Sequence, residues 1–468
     1  MKIRKLTAAT ALGSLTASVA LLTGMQGAHA QGAPGAGSFP GSFLVPGTQT
    51  SFKVGGYIKF DYTYDFSAMQ TINGGAGPFS VSFDSKRICI PGRDCDEPSD
   101  FVQLNADKSH HIHGVSQMTA SESRFNIETR TPTAYGELKT FIEGDFTNPN
   151  GLSNSGSLKV NSNSYGFRLR QAYGTLGPFL AGQTLSLFRD GAAEAETLDF
   201  GGAQATGVTR QPQVRYTFDF GNGLTWAVAA ENPQTQAFNI DAGSTVTTFG
   251  SSPRQGDKIP DFTTALVYNA PWGHLNLHAV LRDLYWHNGQ STKTYHGYSS
   301  SEFGWAVGFS GNWNVPIGKD SLAWEAAYGE GAGRYVNSDG PPTPDIFLFD
   351  GCGPVVCTVN NQIHTIPSWL VAANYTHFWT DTLRSNIAGS YWHQDNHFAT
   401  SSTVSGPSHS SLNNTLLFKS TWTAHANLIW SPVPQTNFGI EFIKMRGTLQ
   451  SGQEGDLTRV QVSAQFKF

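Results

Sequence analysis

The chain has 468 residues, a formal net charge of −5 and only 14% charged residues, against 12% aromatic residues and 51 glycines. A soluble domain normally carries about a quarter charged residues, and a protein that binds nucleic acid over its surface is normally basic. Both classes are therefore disfavoured, and we predict no nucleic-acid partner and no cofactor. Glycine and aromatic residues in place of charged helix formers favour a large all-β structure.

The N-terminus predicts a signal peptide over residues 1–30, because a basic start, an apolar stretch and a small-residue cleavage site follow one another. These are Lys2, Arg4 and Lys5, then residues 6–22, then Ala28-His29-Ala30. Loss of the three basic residues would change the net charge from −5 to −8. No later run reaches the ~18 apolar residues of a spanning helix. Residues 31–51, rich in Gly, Pro and Ser, predict a flexible periplasmic segment.

From residue 52 to residue 468 the same pattern repeats, namely about ten alternating residues followed by turn residues, which is typical of a transmembrane barrel strand. Sixteen strands are predicted, so the fold class is an all-β, 16-stranded antiparallel transmembrane β-barrel. Their ranges are 52–66, 121–131, 135–147, 164–176, 178–185, 209–220, 224–231, 261–269, 274–286, 302–313, 320–330, 367–378, 383–393, 415–430, 436–447 and 456–468.

The links between these strands alternate in length. Every second link is a short turn rich in Pro, Gly, Asn and Asp, as in NAPWG or SPVPQT. Most of the others are long and polar: 67–120, 148–163, 186–208, 232–260, 287–301, 331–366 and 394–414. Short turns at one end and long loops at the other are typical of outer-membrane barrels, and an even strand count puts both termini on the periplasmic side.

The alternation predicts one apolar and one polar face for each strand. In the first strand Val54, Ile58 and Phe60 oppose Lys59 and Asp61. The core of a soluble β-protein that binds glycans through its aromatics is the alternative, but aromatic residues gather at strand ends, as in the girdles of a lipid-facing barrel. The last strand ends in Phe466 and Phe468, which we interpret as the signal read during barrel insertion.

Sixteen strands enclose a wide, water-filled lumen whose charges set selectivity. The basic residues predicted to line it are Lys59, Arg124, Arg130, Arg168, Arg170, Arg215 and Arg282, with Arg459 as a later contribution. Because a guanidinium group can take a carboxylate bidentately, these residues favour passage of small anions. The alternative is a merely polar pore whose arginines are balanced by acids: Glu128, Glu137, Glu143, Asp145 and Asp219.

The third long loop, residues 186–208, corresponds by count to the loop that folds into the lumen of general porins. Its charged residues are Arg189, Asp190, Glu194, Glu196 and Asp199. Acids on a constriction loop that faces arginines would create a transverse field. The alternative is an acidic loop exposed at the surface.

The remaining candidate sites give weaker signals. Cys89, Cys95, Cys352 and Cys357 allow three pairings, and their short spacings favour Cys89–Cys95 and Cys352–Cys357 in an oxidising compartment. The stretch HHIH at residues 110–113 lacks an acidic partner at fixed spacing, so no metal site is predicted. No GxSxG motif is present, so we predict no enzymatic activity, with a barrel hydrolase as the alternative.

Four blocks occur in order along the first half of the chain and resemble the DcaP-like porins of Gram-negative outer membranes. They are ESRFNIETRTPTAYGELKTFIEGDF, FRLRQAYGTLGPFLAGQTLSLFRD, ETLDFGG and RQPQVRYTFD. The resemblance implies a trimeric porin that passes small anions such as dicarboxylates, with Arg124, Arg130, Arg168, Arg170 and Arg215 in the lumen. Some members have an N-terminal coiled coil, but residues 31–51 show no heptad pattern, so we expect no coiled coil there. Expected partners are outer-membrane lipids, two further copies, periplasmic chaperones and the barrel-assembly machinery.

Overall fold

The structure is a computed structural model of the chain. It describes residues 35–69, 111–112, 114–148, 166–203, 209–240, 247–251, 257–287, 299–337, 343–349, 363–395, 418–449 and 454–468.

Sixteen antiparallel strands form one closed barrel, which confirms the predicted fold class. The first and last strands pair from Tyr57↔Lys467 to Ser67↔Thr458 and so close the sheet. The strands are β1 Ser51–Met69, β2 Val115–Thr119 with Arg124–Thr133, β3 Gly136–Asn148, β4 Gly166–Leu176, β5 Phe179–Leu185, β6 Arg210–Asp219, β7 Leu224–Glu231, β8 Asp261–Ala270, β9 Gly273–His287, β10 Ser299–Asn314, β11 Ser321–Glu330, β12 Pro367–Phe378, β13 Leu383–Gln394, β14 Phe418–Trp430, β15 Thr436–Leu449 and β16 Glu454–Lys467.

The two faces of the strands lie in the two environments that the alternation predicted. On β1, Val54 and Ile58 are 49% and 53% exposed on the outside of the barrel, whereas Lys59 and Asp61 are buried inside it. The same alternation continues around the barrel, so that apolar side chains form its outer surface. Such a surface is stable only when hydrocarbon covers it, since large exposed apolar areas are rare on soluble proteins.

The second strand differs from its prediction as one element over 121–131. It is interrupted between Thr119 and Arg124, because residues 120–123 bulge out of the ladder that both halves form with β1. The bulge buries Glu122, whose carboxylate pairs with the Lys59 ammonium. Gly56 faces this bulge: an added Cβ would lie 2.2 Å from the carbonyl oxygen of Arg124. Only glycine fits so close an approach of two backbones.

Both ends of the described chain meet at the periplasmic rim of β1. Phe468 N donates to the Gly56 carbonyl at 3.1 Å, and the Phe468 ring is 61% exposed. Residues 35–50 fold back onto the same strand, where Phe43–Leu44 pairs with Phe52 and Ser51. The role of Phe466 and Phe468 in barrel insertion stays a prediction, as does the signal peptide over residues 1–30, which lies outside the described residues.

Two of the long loops contain elements that the sequence did not predict. Loop strands Gln236–Ile240, Thr247–Ser251, Ile346–Phe349 and Ile363–Thr365 form a small four-stranded sheet, in which the first and third run parallel. A single helical turn, α1, spans Gly333–Val336. Within the described ranges, no helix is long and apolar enough to cross a membrane.

Candidate functional site

The loop between β5 and β6 runs inside the barrel; we call residues 186–203 the lumen loop. Its first half forms hydrogen bonds with lumen-facing side chains of three strands, β7, β9 and β10. These are Leu187 N to Glu231 Oε1 at 3.0 Å, Ser310 Oγ to Asp190 Oδ2 at 2.6 Å, and Asp190 Oδ2 with His274 Nε2 at 2.7 Å. The partners lie on the inward face of their strands, so this part of the loop lies in the lumen.

The middle of the lumen loop continues along the inner wall. Its partners lie on three successive strands, β12, β13 and β14. The contacts are Asn374 Nδ2 to Ala193 O at 3.0 Å, Arg384 Nε to Glu196 Oε2 at 2.6 Å, and Asn427 Nδ2 to Glu196 O at 2.8 Å. Side chains of the wall therefore satisfy backbone carbonyls of the loop, which a segment without regular structure requires when it is enclosed.

The far end of the lumen loop is held at Leu198. Its backbone N–H donates to Glu441 Oε2 on β15 at 2.7 Å, and its carbonyl accepts from Lys59 Nζ at 2.7 Å and from Gln461 Nε2 at 2.8 Å. The Leu198 side chain packs over Gly439, where an added Cβ would lie 2.8 Å from a leucine methyl group. The loop thus follows the wall from β7 to β1.

The charged residues predicted for this loop are mostly bound to the wall or to each other. Arg189 pairs with Glu194 within the loop, and Glu196 pairs with Arg384. Asp190 is the buried acceptor for Ser310 described above. These groups therefore fix the position of the loop, and the charges of Glu194 and Glu196 are locally compensated by Arg189 and Arg384.

Asp199 is the exception among the acids of the lumen loop. It is 2% exposed, and neither carboxylate oxygen has a hydrogen-bond partner within the described chain. Burial raises the pKa of Asp199 well above its usual range; the Glu441 carboxylate acts in the same direction and the Arg459 guanidinium against it. The docked loop therefore favours the neutral carboxylic acid.

We expect Asp199→Asn to stabilise the protein at neutral pH. In the wild-type protein, the pKa of Asp199 is raised in the docked loop, so the neutral acid stabilises the folded state. This wild-type contribution is complete below the ordinary aspartate pKa of about 3.9 and is lost as pH rises above it, at about 1.4 kcal/mol per pH unit until the raised pKa is reached. Asparagine cannot ionise, so this pH dependence should disappear. Thermal unfolding of the detergent-solubilised protein between about pH 4 and pH 8 measures it.

Asp219→Asn is the matched control, because Asp219 is exposed at the end of β6 and accepts a hydrogen bond from Gly221 N at 2.8 Å. A curve for Asp199→Asn that runs parallel to wild type at every pH would contradict the expected role of Asp199.

Arginines from β2 and β4 gather on the lumen face around two acids of β3. Arg168 binds Asp145 through two hydrogen bonds of 3.0 and 2.9 Å, and Arg170 Nη1 lies 2.7 Å from the same carboxylate. Arg170 also reaches Glu143 at 3.1 Å, and Arg124 lies 3.8 Å from Glu143. Three guanidinium groups thus share two carboxylates, so the cluster carries one net positive charge. The side chains of Arg168 and Arg124 are 37% and 18% exposed to the lumen.

The lumen loop returns to this cluster at its last described residues. The ring of Phe200 lies 5.5 Å from the guanidinium carbon of Arg168 and 5.2 Å from that of Arg170. A cation over an aromatic face is stabilised without being neutralised. Both arginines are thereby held in place, while the side chain of Arg168 stays accessible from the lumen.

Arg215 on β6 is a lumen-facing cation bound only to neutral groups. Its guanidinium donates to Gln213 Oε1 at 2.7 Å and to the carbonyl of Leu185 at 2.6 Å. No carboxylate lies within ion-pair distance of it in the described part of the chain. We call Arg124, Arg168, Arg170 and Arg215 the arginine strip.

Arg130 lies nearer the periplasmic rim and is balanced by acids. Its Nε lies 2.6 Å from Glu128 and its Nη1 3.6 Å from Glu137, while Lys139 lies 3.6 Å from Glu128. The ring of Phe39 covers the guanidinium at 4.4 Å. The alternative of arginines balanced by acids therefore describes this rim, whereas it does not describe the arginine strip.

Three of the basic residues predicted to line the pore are enclosed instead, namely Lys59, Arg170 and Arg282. Arg170 is 5% exposed and paired with Glu143 and Asp145, so the accessible members of the arginine strip are Arg124, Arg168 and Arg215. Lys59 is 5% exposed, paired with Glu122 and bonded to the lumen loop. Arg282 is 3% exposed and lies between the carboxylates of Asp261 and Asp345. A charged group reaches such a position only with paired partners, so Lys59 and Arg282 hold loops in place and are covered from the lumen. The alternation predicted the inward orientation of these side chains correctly, but it could not show that loop residues cover them.

Sequence reasoning missed the wall residues that position the lumen loop, chiefly Glu441 and Arg384. Only contacts distant in sequence identify them: Glu441 and Leu198 are 243 residues apart. The four cysteines and His110 and His113 lie outside the described residues, so both disulfides stay predictions. Across the described ranges, no three His, Cys, Asp or Glu side chains come together as a metal site would require.

Comparison with known proteins agrees with this geometry. A family model described as Porin subfamily matches residues 39–442. Porin Omp2b of Brucella suis biovar 1 is 27% identical over 235 residues, which are 50% of this chain and 52% of that protein. Porin Omp2b of Brucella abortus (strain 2308) is 26% identical over 235 residues, with the same coverage of the two chains. The chain thus spans about half the length of the curated relatives it matches.

One solved structure has the same fold along almost its whole length. The outer membrane channel DcaP of Acinetobacter baumannii has a TM-score of 0.62 at 18% identity, with 91% of this chain and 99% of that chain covered. The resemblance to DcaP-like porins is thereby confirmed at the level of porin family and barrel fold. Family match and barrel together identify a multi-pass β-barrel of the Gram-negative outer membrane.

Proposed function

Because the chain belongs to the Porin subfamily, we propose that it is a diffusion porin that passes small hydrophilic solutes and favours small anions such as dicarboxylates. The observation that supports this proposal is the arginine strip: an accessible cluster with one net positive charge, followed by Arg215 without a carboxylate partner. Charge fixed inside a narrow, water-filled passage biases which ions enter.

The lumen loop increases the effect of that charge. It occupies the wall from β7 to β1, so solutes are brought towards β2, β3, β4 and β6, where the strip lies. Its own acids are bound to Ser310, Arg384 and Arg189 or are buried, and so they oppose the strip weakly. Planar guanidinium groups of Arg124, Arg168 and Arg215 offer the paired donors that a carboxylate takes bidentately. A dicarboxylate could be passed from one to the next.

We further propose that the porin is a homotrimer in outer-membrane lipid, assembled through periplasmic chaperones and the barrel-assembly machinery. The apolar belt around the barrel and the resemblance to DcaP-like porins support this part of the proposal.

We expect Arg215→Gln to lower the anion preference without unfolding the barrel. Glutamine keeps a polar side chain beside Gln213 and leaves no carboxylate unpaired, since Arg215 has no acidic partner among the described residues. The measurement is the reversal potential in a planar bilayer across an approximately tenfold KCl gradient, where an ideally selective pore would reach about 59 mV. The wild-type value should have the sign for anions, and the variant should lie nearer zero.

Arg168→Ala should act in the same direction, because it removes the net charge of the cluster with Glu143 and Asp145. Lys319→Ala is the control, since Lys319 lies in an exposed periplasmic turn and pairs with Asp381 at 2.8 Å. Cation preference of the wild-type channel would overturn the anion part of the proposal.

A further inference from the structure

The interior wall of a water-filled barrel is normally polar, but five neighbouring strands, β9 to β13, depart from this rule. Each presents an apolar side chain inward that is at most 6% exposed. We call these residues the interior patch: Val280, Ala306, Ala327, Leu370 and Trp392. Their chain neighbours point into lipid, since Leu281, Val307 and Tyr328 are all at least 40% exposed.

The register of the strands makes the interior patch one continuous surface. Val280 lies directly opposite Ala306, and Leu370 lies directly opposite both Ala327 and Trp392. Neighbouring side chains on one face of a sheet are in contact at this spacing. The patch therefore forms one side of a packed core within the barrel.

The other side of that core comes from a second loop that turns inward, the link between β11 and β12. We call its residues 331–337 and 343–349 the plug segment. Ala332, Tyr335 and Val336 of this segment pack on the interior patch and are almost fully buried, together with Phe188 of the lumen loop. The Phe188 ring meets that of Tyr335 edge to face at 5.8 Å. The lumen is thus filled with protein on this side.

A buried polar network anchors the plug segment to the barrel. Arg282 of β9 lies 2.7 Å from Asp345 and 3.1 Å from Asp261, and it donates to the carbonyl of Gly331 at 2.9 Å. Tyr335 Oη donates to Asp261 Oδ2 at 2.8 Å. Buried charges in such a network are costly to separate, because each would lose its partner inside a medium of low dielectric constant.

The backbone of the plug segment is too close to its surroundings to swing in and out freely. A Cβ on Gly331 would lie 2.3 Å from a methyl group of Leu284 on β9, and within the plug segment a Cβ on Gly333 would lie 2.4 Å from the carbonyl oxygen of Thr343, so the two halves of the segment are packed on each other as well as on the wall. A Cβ on Gly304 of the wall would lie 2.8 Å from the Gly331 carbonyl. Close packing of this kind transmits strain and does not leave room for water.

We infer that the plug segment is a permanent part of the pore, closing the β9–β13 side of the lumen to solutes and restricting permeation to the side that carries the arginine strip. This inference rests on the proposed channel function. It makes the β11–β12 loop a determinant of selectivity, although none of its residues needs to touch a solute. Because one side is filled, every solute passes close to Arg124, Arg168 and Arg215. In a wider lumen, a solute would be able to pass at a distance from these arginines greater than the Debye screening length.

The test is thiol labelling from the aqueous phase with a small charged methanethiosulfonate reagent. Ala327→Cys places a thiol in the interior patch, and Thr217→Cys places one on the lumen face of β6, two residues from Arg215. We expect Ala327→Cys to react at least roughly a hundredfold more slowly, since its reaction requires local opening of the core. Peptide mass spectrometry reads each introduced site separately from the native cysteines.

Adding Gly333→Val to Ala327→Cys should raise its labelling rate towards that of Thr217→Cys and increase single-channel conductance. Gly35→Val is the matched control, because an added Cβ there meets nothing within 4 Å and Gly35 lies in the N-terminal segment, outside both inward-folded loops. Equal labelling of Ala327→Cys and Thr217→Cys in the otherwise native chain would overturn the inference, whether or not the Gly333 variant folds. Reversal potentials test the proposed function independently, so failure of one is distinguishable from failure of the other.

Discussion

Replacing Arg282 by methionine is expected to lower the free energy of unfolding by about 3–5 kcal/mol, the usual cost of breaking a buried ion pair by removing one partner. Methionine fills much of the same volume but leaves the carboxylates of Asp261 and Asp345 without their shared cation. The carbonyl of Gly331 would also lose its donor, and the carbonyl of Gln234 would keep only the one from Arg334. Urea unfolding of the protein in lipid or detergent, followed by the change in gel migration between folded and unfolded barrel, measures the loss.

Two further variants separate the charge effect from a general loss of packing. Lys319→Met removes an exposed ion pair with Asp381. Exposed pairs contribute little, so the stability of this variant should be close to that of wild type. Combining Arg282→Met with Asp345→Asn should recover part of the loss, because one unpaired buried charge is removed as well. Wild-type stability of Arg282→Met would show that the network around Arg282 does not hold the plug segment.

Replacing Glu441 by alanine is expected to release the far end of the lumen loop and to increase single-channel conductance. The Glu441 carboxylate is fully buried and accepts from the N–H groups of Leu198 and Asp199 at 2.7 and 3.3 Å, as well as from Asn427 at 2.9 Å. Without it, these donors are left unsatisfied at about 1–3 kcal/mol each. The loop can regain those bonds from water only by moving away from the wall. A wider passage should also weaken the anion preference.

Glu441→Gln keeps an acceptor oxygen in the same place, so its conductance should change less than that of Glu441→Ala. Glu137→Ala controls for the loss of negative charge alone, because Glu137 is half-exposed near the periplasmic rim and pairs with Arg130 at 3.6 Å, away from the loop. Equal conductance of wild type and Glu441→Ala in planar bilayers would rule out this role of Glu441.

The barrel itself could be predicted from the sequence nearly residue by residue. The strand predicted over 367–378 is Pro367–Phe378, and the strand predicted over 224–231 is Leu224–Glu231. The reason is local: a strand between lipid and water must alternate with a period of two, and this signal is complete within about ten residues. Most other predicted strands differ from the observed ones by no more than three residues at either end. The largest departure is the strand predicted over 121–131, which begins at Val115 and is interrupted by a bulge, because inserted residues break the alternation.

The contents of the lumen could not be predicted in this way. Loops carry no periodic pattern, so the inward course of the lumen loop depends on partners far away in sequence, such as Glu441 for Leu198 and Arg384 for Glu196. For the same reason Arg282 has the inward orientation that the alternation requires, yet it anchors a loop and does not meet solutes.

By itself, then, the sequence determined the sheet, its closure, its two faces and the positions of the arginines on the inner face. Each of these follows from the short-range alternation of side chains between lipid on one side of a strand and water on the other. Only the tertiary structure decided which of those arginines remain accessible. That choice depends on how two long loops fill the barrel, and so on burial and on hydrogen bonds between residues more than a hundred positions apart, such as Asp190 with Ser310.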